Sequence, residues 1–127
     1  MHAKTLLTVA AALLALNLPL RDAYAHAEHG QAQFGGVVAE AGEAQFEIVG
    51  KDGKITVYVS DHGKPVATAG ASGKLSILAG AEKNDVELKP AGDNRLVGQG
   101  AYVAGAKLLL QVQLPGKKPL QARTVAK

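Results

Sequence analysis

No cysteine and no tryptophan occur anywhere in the 127 residues. The absence of cysteine excludes disulfides, zinc–thiolate sites and thiol catalysis. An exported domain without a disulfide framework suits a bacterial periplasm better than a eukaryotic extracellular space. Methionine is confined to Met1, which argues against a thioether Cu(I) site. Charge of one sign is lacking as well. Removing residues 1–25 takes away Lys4, Arg21 and Asp22, leaving 12 basic and 10 acidic residues, a net charge of +2. The two signs interleave, with no stripe of aromatic and basic residues, so nucleic acid is not the expected partner. There is no G-x-S-x-G elbow and no phosphate loop ending in Lys-Ser/Thr. Ser60-Asp61-His62 sets three triad residue types side by side, but triads assemble through space from separate segments. The chain reads as a binding protein and not as an enzyme.

A long apolar run is present only at the N-terminus. Met1-His2-Ala3-Lys4 is a short basic start, Thr5 to Leu20 is almost uninterrupted Leu and Ala, and Ala23-Tyr24-Ala25 supplies the small residues of a cleavage site. These are the parts of a secretory signal peptide. The run of about 16 residues falls short of the roughly 20 that a spanning helix needs. The expectation is a signal peptide over 1–25, a flexible tail over 26–33 and one folded domain over 34–127, with no membrane span after cleavage. A domain of about 100 residues is large enough to hold together by its core alone.

In that domain the hydrophobic period is two. Ala44, Phe46 and Ile48 alternate with polar residues, as do Ile55, Val57 and Val59, then Leu75 and Ile77, Val86 and Leu88, Leu108 to Leu114, and Leu120 and Ala122. Each run presents one face to a core and one to water. Lys51-Asp52-Gly53-Lys54 is a tight hairpin signal. Gly63-Lys64-Pro65, Gly70-Ala71-Ser72-Gly73, Pro90-Ala91-Gly92-Asp93-Asn94 and Pro115 to Pro119 separate the other runs. The pattern predicts an all-β domain, an immunoglobulin-like antiparallel β-sandwich of seven to eight short strands, with a small closed barrel as the alternative.

The residues with chemistry to offer are histidines. After cleavage at Ala25, His26 becomes the first residue and joins a free α-amine to an imidazole, a compact chelate for Cu(II). His29 follows three residues on, and Asp61-His62 sits at a strand end before Gly63. The expected metal ligands are therefore His26, His29, His62 and Asp61, with Cu(II) first and Zn(II) as the alternative. Affinity should fall below about pH 6 as imidazoles protonate.

Phe34-Gly35-Gly36-Val37-Val38-Ala39-Glu40-Ala41-Gly42, Phe46-Glu47, Asp61 to Val66, Pro90 to Leu96 and Leu114 to Pro119 together resemble small periplasmic proteins associated with heavy-metal efflux systems. They are similar to the N-terminal β-domain of the periplasmic adaptor subunits of cation-efflux pumps. The resemblance implies an accessory role in heavy-metal homeostasis or efflux, with an adaptor or another efflux component as partner. An alternative is a metal-free interaction module docking on such a component. Adaptor domains often have His-Gly-Gly where this chain has Phe34-Gly35-Gly36, and their coiled-coil hairpin has no counterpart here. A looser likeness is to periplasmic copper-resistance sandwiches whose mature chain also begins with histidine. His26 and the pair Asp61-His62 match them in kind, although the pair is adjacent and not spaced.

Overall fold

The computed structural model describes residues 31–127. Among them are nine strands and no helix: β1 Val37–Ala41, β2 Ala44–Lys51, β3 Lys54–Asp61, β4 Lys64–Pro65, β5 Ser72–Ala79, β6 Glu82–Pro90, β7 Arg95–Gln99, β8 Lys107–Gln113 and β9 Leu120–Val125. The all-β expectation holds, and every pairing is antiparallel. No helix of the described residues is long and apolar enough to cross a membrane.

The apolar alternation places the core as expected. Phe46, Ile48, Ile55, Val57, Val59, Leu75, Leu88, Leu96, Leu108, Leu110 and Val112 are all buried, and polar neighbours occupy most outward positions. Among the described residues Phe46 is the only fully buried aromatic ring, and aliphatic side chains fill the interior. Ser72 and Gly73 lie inside β5 and not in the turn expected for 70–73.

The arrangement of strands departs from two separate sheets. The path runs β1-β2-β3-β7-β6-β5-β8-β9, with β4 added beside β3, and β1 packs against β9 where the ends of the path meet. The sheet is therefore nearly closed, which is the barrel alternative and not a sandwich. β6 makes the join. Its residues Glu82 to Leu88 pair with β5, and its last two, Lys89 and Pro90, pair with Val97 and Leu96 of β7. Gly98 allows this close approach: a Cβ there would lie 2.3 Å from the Glu87 carbonyl oxygen and 2.8 Å from Val86 Cγ1.

Two contacts fix the end of β3 from which the candidate site projects. Beyond Tyr58, the last β3 residue paired with β7, Asn94 takes over: Val59 N–H donates to its carbonyl at 2.9 Å and its Nδ2 donates to the Val59 carbonyl at 3.0 Å. Thr68, fully buried, donates its hydroxyl to the Arg95 carbonyl at 2.7 Å and to that of Asp93 at 3.2 Å. The Pro90–Asn94 loop is thereby tied to the segment leading into β5.

Candidate metal site at a hairpin corner

Three short turns decide where the candidate ligands stand. Asp52-Gly53 joins β2 to β3 with φ of 54° and 76°, as in a type I′ turn. That turn sets the register of the whole hairpin, from Lys51 opposite Lys54 to Ala44 opposite Asp61. At the far end, His62-Gly63 joins β3 to β4 with φ of 52° and 82°, the same signs at both central positions. Gly42-Glu43 joins β1 to β2, with Ala41 paired to Ala44 and φ of 60° at Gly42. Because Ala44 faces Asp61, the Gly42-Glu43 turn lies beside the His62-Gly63 turn.

One carboxylate oxygen each from Glu43 and Asp61 and one ring nitrogen of His62 lie within 4.8 Å of one another. Asp61 Oδ1 and His62 Nδ1 are 2.5 Å apart. With Nδ1–H donating to Asp61, the lone pair of Nε2 is free to bind, the carboxylate–imidazole arrangement common at metal-ligating histidines. Both side chains are accessible, His62 at 65% and Asp61 at 44%. A shallow cleft of about 150 Å³ opens beside them, bordered by Glu40 as well as Glu43 and His62. His62 has a left-handed φ, uncommon outside glycine, with Asn, Asp and His the non-glycine residues that adopt it most often.

The structure thus brings together Asp61 and His62 of the expected ligands and adds Glu43. His26 and His29 lie outside the described residues, as do the expected signal segment and its cleavage site. Glu43 was within reach of sequence reasoning. The Asp52-Gly53 turn, counted outward pair by pair, sets Ala44 opposite Asp61 and so Glu43 beside His62.

The motif Phe34-Gly35-Gly36 has a structural task. The buried Glu47 carboxylate of β2 accepts the Gln33 amide at 2.7 Å, the Phe34 amide at 2.8 Å and the Gly36 amide at 2.9 Å. The Phe34 ring stacks on Tyr58, with centroids 4.0 Å apart and planes 15° from parallel. Gln33, the last residue of the expected tail, is therefore anchored to the domain.

No family description, curated protein or solved structure matches the chain.

Proposed function

We propose that this is an exported accessory protein of heavy-metal homeostasis that binds Cu(II), or Zn(II) as the second choice, at the His62 corner. The observation that carries the reading is the convergence of Glu43, Asp61 and His62 on one exposed turn pair, with Asp61 orienting the ring. The donors are imidazole and carboxylate, with no sulfur among them. Both Cu(II) and Zn(II) accept that set, and Cu(II) stands higher in the divalent affinity order.

Glu43 and His62 leave a four-coordinate ion short of donors, and His26 and His29 are the candidates to complete it. The anchor at Gln33 bounds their reach. His29 is four residues and His26 seven residues before it, so extended chain gives about 14 Å and about 24 Å. From Glu47, where Gln33 is held, to Ala44 opposite Asp61 is three strand residues, about 10 Å. Either histidine can span that interval. The periplasm, and an efflux component as partner, follow in this proposal from the signal-like N-terminus and the efflux-protein resemblance.

Calorimetric titration of the processed protein with Cu(II) and with Zn(II) tests the reading. One equivalent should bind, and His62→Ala should weaken it at least about tenfold, with Asp61→Asn in the 10–100-fold range of an orienting residue. Unchanged affinity in His62→Ala overturns the corner site. N-terminal sequencing of the same sample shows whether His26 carries a free amine.

A further inference from the structure

The outward face of β5, β8 and β9 carries an apolar groove of about 550 Å³. It is lined by the apolar Leu78 of β5, Leu109 of β8 and Val125 of β9 and by the cationic Lys83, Lys107 and Arg123, with Lys107 between Leu78 and Val125. The register explains the grouping: Lys83, Leu78, Lys107 and Val125 form one row across four strands, and Ser76, Leu109 and Arg123 form part of the next. Leu78 at 40% and Val125 at 52% exposure are two of the four exposed large apolar residues among those described. The hydroxyl in the same row as Leu109 is already engaged: Ser76 hydrogen-bonds Asp85 beside it in the sheet. Lys83 interacts with Asp85, whereas Lys107 and Arg123 have no carboxylate within 4.0 Å among the described residues.

We infer that this groove binds a small amphiphilic anion, a medium-chain carboxylate in which an acyl chain covers Leu78, Leu109 and Val125 and the carboxylate meets Lys107 and Arg123. Charge complementarity sets the sign, since Lys107 and Arg123 stand among the apolar side chains with no carboxylate in ion-pair reach. Size selects a small molecule over a protein. Leu78 to Val125 spans two strand spacings, about 10 Å, and Leu109 lies two residues along, about 7 Å. An area of roughly 70 Å² is far below the roughly 800 Å² that each partner contributes to a stable protein interface. The groove volume falls instead in the range of small-ligand sites.

The test uses decanoate on the ¹⁵N-labelled protein, followed by amide shifts, with decanol and acetate as controls. Decanoate should move the amides of Leu78, Leu109 and Val125 in a saturable way, decanol should bind about tenfold more weakly, and acetate should leave the same amides unmoved. Lys107→Gln with Arg123→Gln should weaken decanoate about tenfold, equivalent to about 1.4 kcal/mol. Both positions are exposed on strands, and an unaltered thermal midpoint checks that the fold survives. Equal binding of decanoate and decanol, or of decanoate to the double variant, overturns the inference. So does retention on anionic phospholipid vesicles without any response to free decanoate, which would reassign the face to a membrane surface. Neither result bears on metal binding at His62, which lies on the turn between β3 and β4 and does not line the groove.

Discussion

Glu47 and Tyr58 stand directly opposite each other on β2 and β3, and the same four residues, Gln33 to Gly36, engage both. The carboxylate collects three amides from this segment while the phenol ring carries Phe34. Gly36 is what lets the segment lie so close: a Cβ there would fall 2.2 Å from the Ile48 carbonyl oxygen. The point where the chain enters the domain is thus fixed by one buried charge and one ring stack.

Glu47→Ala removes the acceptor of all three amides. Hydrogen bonds to a charged group are worth about 1.5–3 kcal/mol, and part of the segment regains water when it detaches, so a loss of about 2 kcal/mol is expected. Urea unfolding gives the magnitude. Proteolysis of the folded variant should cut before Val37 much faster than in the parent, and equal cleavage rates would remove Glu47 from the anchoring role.

The strands that sequence pattern marks are those whose inward positions all carry large apolar side chains, such as Ile55, Val57 and Val59. β7 escapes that pattern because its inward positions are Leu96 and Gly98, and a glycine leaves no alternation to see. Closure into a near-barrel escapes it for the same reason, since the join depends on a missing side chain at Gly98. At the site, Asp61 and His62 are legible as a polar pair at a strand end. Glu43 comes from a different hairpin and emerges only when the register is counted through. The anchoring role of Phe34-Gly35-Gly36 is not local either, because its partner Glu47 is 11 to 13 residues away.

Gly98→Ala tests the join directly. The added methyl would meet the backbone oxygen of Glu87, which has no room to swing aside, so the β6–β7 pairing must open. Overpacking typically costs about 1–3 kcal/mol, and a backbone clash belongs at the upper end. Thermal unfolding checks the loss, and amide exchange should show the added opening at Lys89 and Val97 before the β2–β3 hairpin responds.

Thr68→Val keeps the shape and deletes the hydroxyl. The Arg95 and Asp93 carbonyls lose the hydroxyl donor they share, but each keeps a backbone N–H, Ala91 to Arg95 at 3.0 Å and Thr68 to Asp93 at 3.1 Å. A cost of about 1 kcal/mol is expected for the loss of one hydrogen bond between groups that stay paired. The unfolding midpoint measures it. A change within about 0.5 kcal/mol would show the two carbonyls to be satisfied without the hydroxyl.

Tyr102 gives the fold an alkaline limit. Burial pushes its phenol pKa above the usual value, partly offset by a backbone hydrogen bond at Gly50. Its hydroxyl also donates to the Ile48 carbonyl at 3.3 Å. Because the folded-state value is raised, its contribution is fully present below the unfolded phenol range near pH 10 and is lost as pH rises through the folded value. Tyr102→Phe should therefore be somewhat less stable at neutral pH and should lose less stability than the parent above pH 10. Parallel denaturation curves at neutral and alkaline pH would reveal the crossover, and identical pH slopes would rule out Tyr102 as its source.

His62 separates stability from binding in a single substitution. Its backbone occupies the first central position of a turn with φ of 52°, where Asn or Asp followed by Gly is the favoured pair. The same turn type on the other end of β3 uses Asp52-Gly53. His62→Asn should therefore leave the fold unharmed or raise its stability by up to about 1 kcal/mol, since asparagine adopts the left-handed region at lower cost than most residues. The same variant loses the imidazole lone pair and with it the nitrogen ligand proposed for this corner, whose ring contacts Asp61. A retained or increased unfolding midpoint together with a Cu(II) affinity lowered at least about tenfold marks a residue kept at some conformational cost for its chemistry. A variant that unfolds earlier and binds metal as before would make His62 a turn residue alone.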